Sequence, residues 1–201
     1  LLRLGVLISG SGTNLQAIID AIAAGELDAQ VVLVVSSRSD AYGLRRAYEA
    51  GIPTMGLSSE VYQDPAAADA LIAQEMQVAG ADYLVMAGYM RKLGAGLLAA
   101  FEDRVINIHP ALLPAFPGAH GIADAYEAGV KVTGVTVHFA NEDYDAGPII
   151  AQQALEVCEG ESLESLEARI HAIEHVLYPQ TLQLIAQGRV SITADRKVSI
   201  T

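Results

Sequence analysis

The sequence predicts an α/β fold: a doubly wound, mostly parallel, Rossmann-like sheet with antiparallel additions and a long C-terminal helix. Three observations predict it. Short, nearly continuous apolar runs alternate with helical patterns through the first two-thirds of the chain, as parallel strands covered on both faces require. Glycines follow three of the helical stretches, where helix-ending residues belong. In the last third the rhythm changes to two strands around a polar segment, then one long amphipathic stretch.

In chain order, Leu4–Ile8, Val31–Val35, Pro53–Leu57, Tyr83–Ala87 and Val105–His109 read as strands. Between them Leu15–Ala24, Tyr42–Ala50, Pro65–Ala79 and Gly94–Phe101 read as helices. Asp64 supplies an N-cap with proline at the first helical position, and Gly25, Gly51 and Gly80 are the helix-ending glycines. The alternation implies a doubly wound sheet. Thr133–Ala140 and Ile149–Val157 are strands joined by the polar segment Asn141–Pro148, which points to antiparallel pairing. A helix then runs from Leu163 to about Gln187, with Leu163, Leu166, Ile170, Ile173 and Leu177 at helical spacing. Pro179 is expected to kink or restart it. Arg189–Thr201 reads as a polar hairpin around Ala194-Asp195. No linker or repeat interrupts the pattern, so residues 1–201 are read as a single domain.

Composition narrows the function. With 52% apolar and 18% charged residues the chain is too hydrophobic for disorder. Twelve basic residues against 24 acidic ones give a net charge of −12. Bulk nucleic acid needs a basic face and is not expected as a partner. A small anionic ligand stays open, because a few backbone N–H groups can hold a phosphate locally. The single cysteine, Cys158, cannot form an internal disulfide, which points to a reducing, cytoplasmic location. Leu4–Ile8 runs straight into Ser9-Gly10-Ser11-Gly12 with no signal-peptide pattern. No run of 18 apolar residues exists, so no membrane span is expected.

Three segments can carry chemistry. Ser9-Gly10-Ser11-Gly12-Thr13-Asn14 lies between the first strand and the first helix. Glycines let the backbone turn tightly and present N–H groups, and the helix adds its positive end. A plain capped turn is the bland alternative, and position favours phosphate binding. The spacing is neither G-x-G-x-x-G nor a Walker loop, so a phosphate monoester fits better than a dinucleotide. At the end of the fifth strand, alternation puts Asn107 and His109 on one face, where open α/β sheets bind ligands. In Asp143-Tyr144-Asp145-Ala146-Gly147-Pro148, Asp145 is the acid most readily paired with His109. His138 is either a site wall or a satisfied core histidine. His109, His120 and His138 lack a ligand-like spacing and have no cysteine partner, so no metal is expected. Gly10-Ser11-Gly12 is not a nucleophile elbow, which weakens a hydrolase triad.

Four stretches carry a family resemblance: Val6–Gln16, Ala87–Arg91, Asn107–Pro114, and Gly134–Phe139 running on to Asp145–Pro148. In order and separation they closely resemble the phosphoribosylglycinamide formyltransferases (glycinamide ribonucleotide transformylases) of the formyltransferase family, over almost the whole chain. The resemblance implies transfer of a formyl group from 10-formyltetrahydrofolate, as co-substrate, to the amino group of glycinamide ribonucleotide in de novo purine biosynthesis. It implies that Ser11, Gly12, Thr13 and Asn14 hold the ribonucleotide phosphate, and that Glu174 holds the ribose hydroxyls. Gly88 and Met90 would line the junction of the two substrates. Met90, Arg91, Lys92, Leu93, Asn107, Asn141 and Asp145 would meet the folate. Asn107, His109 and Asp145 would be the catalytic set, with no metal. A monomer or homodimer fits.

Two departures stand out. Tyr62-Gln63-Asp64-Pro65 replaces a stretch that carries an arginine for the folate tail in many members, leaving Arg91 and Lys92 as first candidates for that contact. Gly121-Ile122-Ala123-Asp124 lacks a basic residue that other members carry. Rival readings are weaker. A formyltetrahydrofolate hydrolase usually has an extra regulatory domain, and a methionyl-tRNA formyltransferase needs a basic RNA-binding one. A non-catalytic nucleotide-binding module has no use for Asn107, His109 and Asp145 together.

Overall fold

The computed structural model describes residues 1–201. Five parallel strands form most of the sheet: β1 (Leu2–Ile8), β2 (Ala29–Ser36), β3 (Thr54–Gly56), β4 (Tyr83–Met86) and β5 (Val105–His109). Antiparallel β6 (Val132–Phe139) and β7 (Ile149–Glu156) extend it, giving the order β3-β2-β1-β4-β5-β6-β7. From β1 the chain builds outward to β2 and β3, then returns to place β4 on the other side. The carboxyl ends of β1 and β4 therefore flank the switch point where such sheets bind ligands.

Helices cover both faces. On one side α1 (Thr13–Ala23), α2 (Tyr42–Glu49), α5 (Gly121–Glu127) and α6 (Leu163–Ala186) pack over Leu4, Val6, Ile8, Val85, Ile106 and Ile108. On the other, α3 (Pro65–Val78) and α4 (Ala95–Ala100) pack over Leu7, Leu84, Met86 and Val105. Alternation along β5 sends Ile106 and Ile108 to the first core, which turns Asn107 and His109 to the opposite face.

Local signals fix the boundaries. The Asp64 carboxylate accepts the Ala67 N–H at 3.1 Å ahead of Pro65, as the cap pattern predicts. Gly25, Gly51 and Gly80 have φ of 72, 73 and 72°, the left-handed conformation of helix-ending glycines. The tail pairs β8 (Val190–Ile192) with β9 (Val198–Ile200) as the expected hairpin.

Of the kink or restart expected at Pro179, the restart does not occur: α6 runs through it as one helix. The proline is buried, and its missing N–H costs only the bond to the carbonyl four residues back. A 3-10 turn, Val61–Gln63, precedes α3, and α5 lies in a stretch to which the sequence reading gave no element. Just before Pro179, the buried Tyr178 hydroxyl lies 2.9 Å from the Met86 carbonyl and 3.0 Å from that of Ile106. It ties α6 to the ends of β4 and β5.

Candidate active site

A crevice of about 460 Å³ opens at the carboxyl ends of β1, β4 and β5. Ser11, Gly12, Thr13, Asn14, Gly88, Met90, Asn107, His109, Asp145 and Glu174 all line it. Three larger hollows exist, one of them of about 470 Å³ beside the start of α3, and none gathers comparable chemistry. One of about 640 Å³, at the amino ends of β1 and β2, is mostly apolar. One of about 560 Å³ lies between α1 and α6.

The β1–α1 loop forms the first wall. Gly12 is the N-cap of α1, with φ 72° and ψ 32°. A Cβ there would stand 2.6 Å from the Gly43 Cα, so both the conformation and the space demand glycine. The Gly43 N–H donates to the Gly10 carbonyl at 3.0 Å, and Arg46 Nε donates to the Ser11 carbonyl at 2.8 Å. Asn14 is buried, its Nδ2 3.5 Å from Glu174 Oε2 and its Oδ1 without a protein partner. Glu174, also buried, accepts from His171 Nδ1 at 2.7 Å. That hydrogen bond raises the His171 pKa above its ordinary value, with burial opposing it.

Asn107, His109 and Asp145 converge at the back. His109 Nδ1 is 3.4 Å from Asp145 Oδ2, and His109 Nε2 donates to the Phe116 carbonyl at 2.7 Å. The second bond pins the ring and leaves Nδ1 as its working edge. Asp145 is almost fully buried and has φ 52°. Its Oδ2 accepts the Gly118 N–H at 2.8 Å, and its Oδ1 lies 3.6 Å from His138 Nε2. Burial raises the Asp145 pKa, but hydrogen bonds from His138 and Gly118 and the charges of the two histidines outweigh it. The carboxyl is held below the usual carboxylate range.

His138 is a satisfied core histidine that also borders the small recess beside Asn107 and Asp145. It is buried, with Nδ1 donating to the Phe139 carbonyl at 2.9 Å. Its Nε2, 3.3 Å from Asn107 Nδ2, accepts from that amide when the ring is neutral. It therefore orients Asn107 and faces Asp145.

The other wall comes from the β4–α4 segment and the β6–β7 connection. Arg91, Lys92, Leu93 and Asn141 line a small recess that meets the crevice at Asn107, Tyr144 and Asp145. Met90 is largely exposed, and its N–H donates to Ser9 Oγ at 2.8 Å. The Gly94 N–H donates to the buried Asp69 at 2.6 Å. Between these tethers the Arg91 guanidinium stacks 4.2 Å from the Tyr62 ring centroid. Asn141 Oδ1 is buried without a partner.

Several residues escaped the sequence reading. His171 lines the crevice one helical turn before Glu174, a spacing that could have disclosed it. Gly43 and Arg46 support the first loop from more than thirty residues away and left no local signal. No group of three or more His, Cys, Asp or Glu side chains is placed to hold a metal ion. No helix is long and apolar enough to cross a membrane.

Comparison with known proteins matches this geometry to a family. The formyl transferase family model matches residues 2–182. The phosphoribosylglycinamide formyltransferase of Bacillus subtilis (strain 168) is 40% identical over 181 residues, 90% of this chain and 93% of that one. The trifunctional purine biosynthetic protein adenosine-3 of Bos taurus is 40% identical over 196 residues. That match covers 98% of this chain and only 19% of the bovine protein. The crystal structure of glycinamide ribonucleotide transformylase 1 from Symbiobacterium toebii superposes with a TM-score of 0.96 at 48% identity, covering 100% of this chain and 94% of that one.

Proposed function

Because the chain belongs to the formyl transferase family, we propose that it transfers the formyl group of 10-formyltetrahydrofolate to the amino group of glycinamide ribonucleotide. This is a step of purine biosynthesis. The observation that carries the reading is the convergence of Asn107, His109 and Asp145 where two hollows meet, with the glycine-rich β1–α1 loop on one side. Residues 1–201 act as one formyltransferase unit.

The backbone N–H groups and side chains of Ser11, Gly12, Thr13 and Asn14 receive the phosphate, at the positive end of α1. Glu174 accepts hydrogen bonds from the ribose hydroxyls, and Gly88 and Met90 line the junction. The folate lies along Met90, Arg91, Lys92 and Leu93, with its pterin edge against Asn141 to Asp145. The substrate amine attacks the formyl carbon, a C–N bond forms, and the carbonyl oxygen takes up negative charge. Asn107 Nδ2 and the His109 imidazole donate to that oxygen. Asp145 sits 3.4 Å from His109 Nδ1 and orients the ring. The intermediate collapses as the folate nitrogen leaves with a proton. The amine has lost one, so the transfer balances without a metal or a covalent enzyme intermediate.

The acidic balance of the chain speaks against a nucleic-acid partner, and its lone, exposed Cys158 supports a cytoplasmic enzyme. The test is formyl release measured with and without glycinamide ribonucleotide. Transfer requires the ribonucleotide. Release of formate in its absence, at the same rate, would make the chain a hydrolase.

A further inference from the structure

We propose that Arg46, on the last turn of α2, is a positioning residue that sets the affinity of the site for the ribonucleotide phosphate by holding the β1–α1 loop open from behind. The inference rests on the phosphate-site reading above and extends it to a residue outside the crevice.

Two consecutive loop carbonyls are committed to α2. Gly10 accepts the Gly43 N–H at 3.0 Å, and Ser11 accepts Arg46 Nε at 2.8 Å. A carbonyl oxygen facing a phosphate would repel it, so engaging both oxygens elsewhere leaves the loop to present its N–H groups. The approach is possible because two glycines meet. A Cβ on Gly43 would stand 2.5 Å from Ile8 Cδ1 and 3.1 Å from the Gly12 Cα. Arg46 is itself held in place, its Nη1 donating to Gln16 at 3.3 Å and its guanidinium lying 4.9 Å from the Tyr42 ring centroid.

Charge points the same way. Arg45 and Arg38 are paired with Glu49 and Asp40 at 2.7 and 2.9 Å. Arg46 meets only neutral acceptors. In a chain of net charge −12, a guanidinium without a carboxylate partner directly behind an anion-binding loop backs that loop with positive potential. Arg46 lines the hollow beside Thr13 and Gln16, not the crevice itself, so it acts through the loop.

Arg46→Met keeps the aliphatic stem and removes the fork and the charge. Arg46→Lys keeps the charge and loses the planar fork. In the Met variant the KM for glycinamide ribonucleotide should rise about 10–100-fold, the range for losing one charge-assisted hydrogen bond. The kcat at saturation and the KM for 10-formyltetrahydrofolate should stay within about twofold of wild type by the same scale. The Lys variant should fall between, because charge alone does not fix the Ser11 carbonyl. Unchanged ribonucleotide affinity in either variant, or an equal loss in kcat and both KM values, overturns the proposal. Wild-type protein showing no ribonucleotide-dependent transfer would instead overturn the functional reading on which it rests.

Discussion

On the wall assigned to the ribonucleotide, the groups that shape the site are already held by the protein. The Gly10 and Ser11 carbonyls are bonded to α2, Glu174 is bonded to His171 and lies near Asn14, and Gly12 touches Gly43 with no space to spare. The wall assigned to folate is tethered at Met90 N–H and Gly94 N–H, with exposed side chains, Met90 and Tyr144 among them, on its surface. The difference follows from what each wall must recognise. A phosphate is held by fixed N–H dipoles, which lose value when displaced by a fraction of an ångström. A flat ring and a flexible tail are held by surfaces that adjust.

The proposed catalytic set lies on the seam between the walls, and breaking it should cost most. His109→Ala should lower kcat about 10²–10³-fold, the cost of losing one oxyanion donor, and Asp145→Ala by a comparable factor because His109 is then left unoriented. Neither KM should change greatly. The double variant should cost far less than the product of the two losses, because the residues act as a unit. Steady-state kinetics of the three variants checks this; a fully multiplicative loss would separate the pair.

Next in size is Gly12→Val. A β-branched residue at φ 72° is strained, and its Cβ would overlap the Gly43 backbone. At about 1–2 kcal/mol for the conformation alone, ribonucleotide affinity should fall roughly tenfold or more. Folate binding should be untouched. Calorimetry with each substrate tests whether the walls are independent.

A smaller effect concerns His171. Its pKa is raised by Glu174, so the pair contributes fully below the unfolded imidazole value, about 6.5. That contribution is lost as pH rises through the higher folded value. Thermal unfolding followed from pH 6 to 9 should show a decline in Tm that is shallower in His171→Gln. Equal slopes would remove the pair from the account.

The smallest effect is expected at the folate tail. Gln63-Asp64-Pro65 offers no cation, and Asp64 is occupied in capping α3. Extra glutamates on the donor should therefore improve its KM only slightly, and added salt should hardly weaken binding. A large, salt-sensitive gain would show that Arg91, now stacked on Tyr62, or Lys92 grips the tail. The adaptable wall would then also read charge.

The parts legible in the sequence are those whose signals are local. Buried parallel strands announce themselves as apolar runs, and Asn107 and His109 follow from alternation on one of them. Gly12 lies in a turn whose composition is informative, and Asp64 is a cap written in two residues. What escaped depends on distant contacts. Arg46 is 35 positions from the carbonyl it holds, and nothing in Tyr42–Glu49 marks one arginine from the other. The seven residues of α5 bury only Gly121, Ile122 and Ala125 and begin without a side-chain cap, too little for periodicity to register. Pro179 does not restart α6, because packing of the helix's buried face outweighs the lost bond.

The Tyr178 hydroxyl, lodged between the carbonyls of Met86 and Ile106, has a consequence for the order in which the molecule matures. The strands it joins lead into the β4–α4 wall and into Asn107 and His109, and the tyrosine follows them by more than seventy residues. Closing a contact of such long sequence separation slows folding, because the loop must close before the contact rewards it. The bond can form only once the last long helix is in place, so recovery of activity on refolding is expected to follow the docking of α6 rather than the growth of secondary structure.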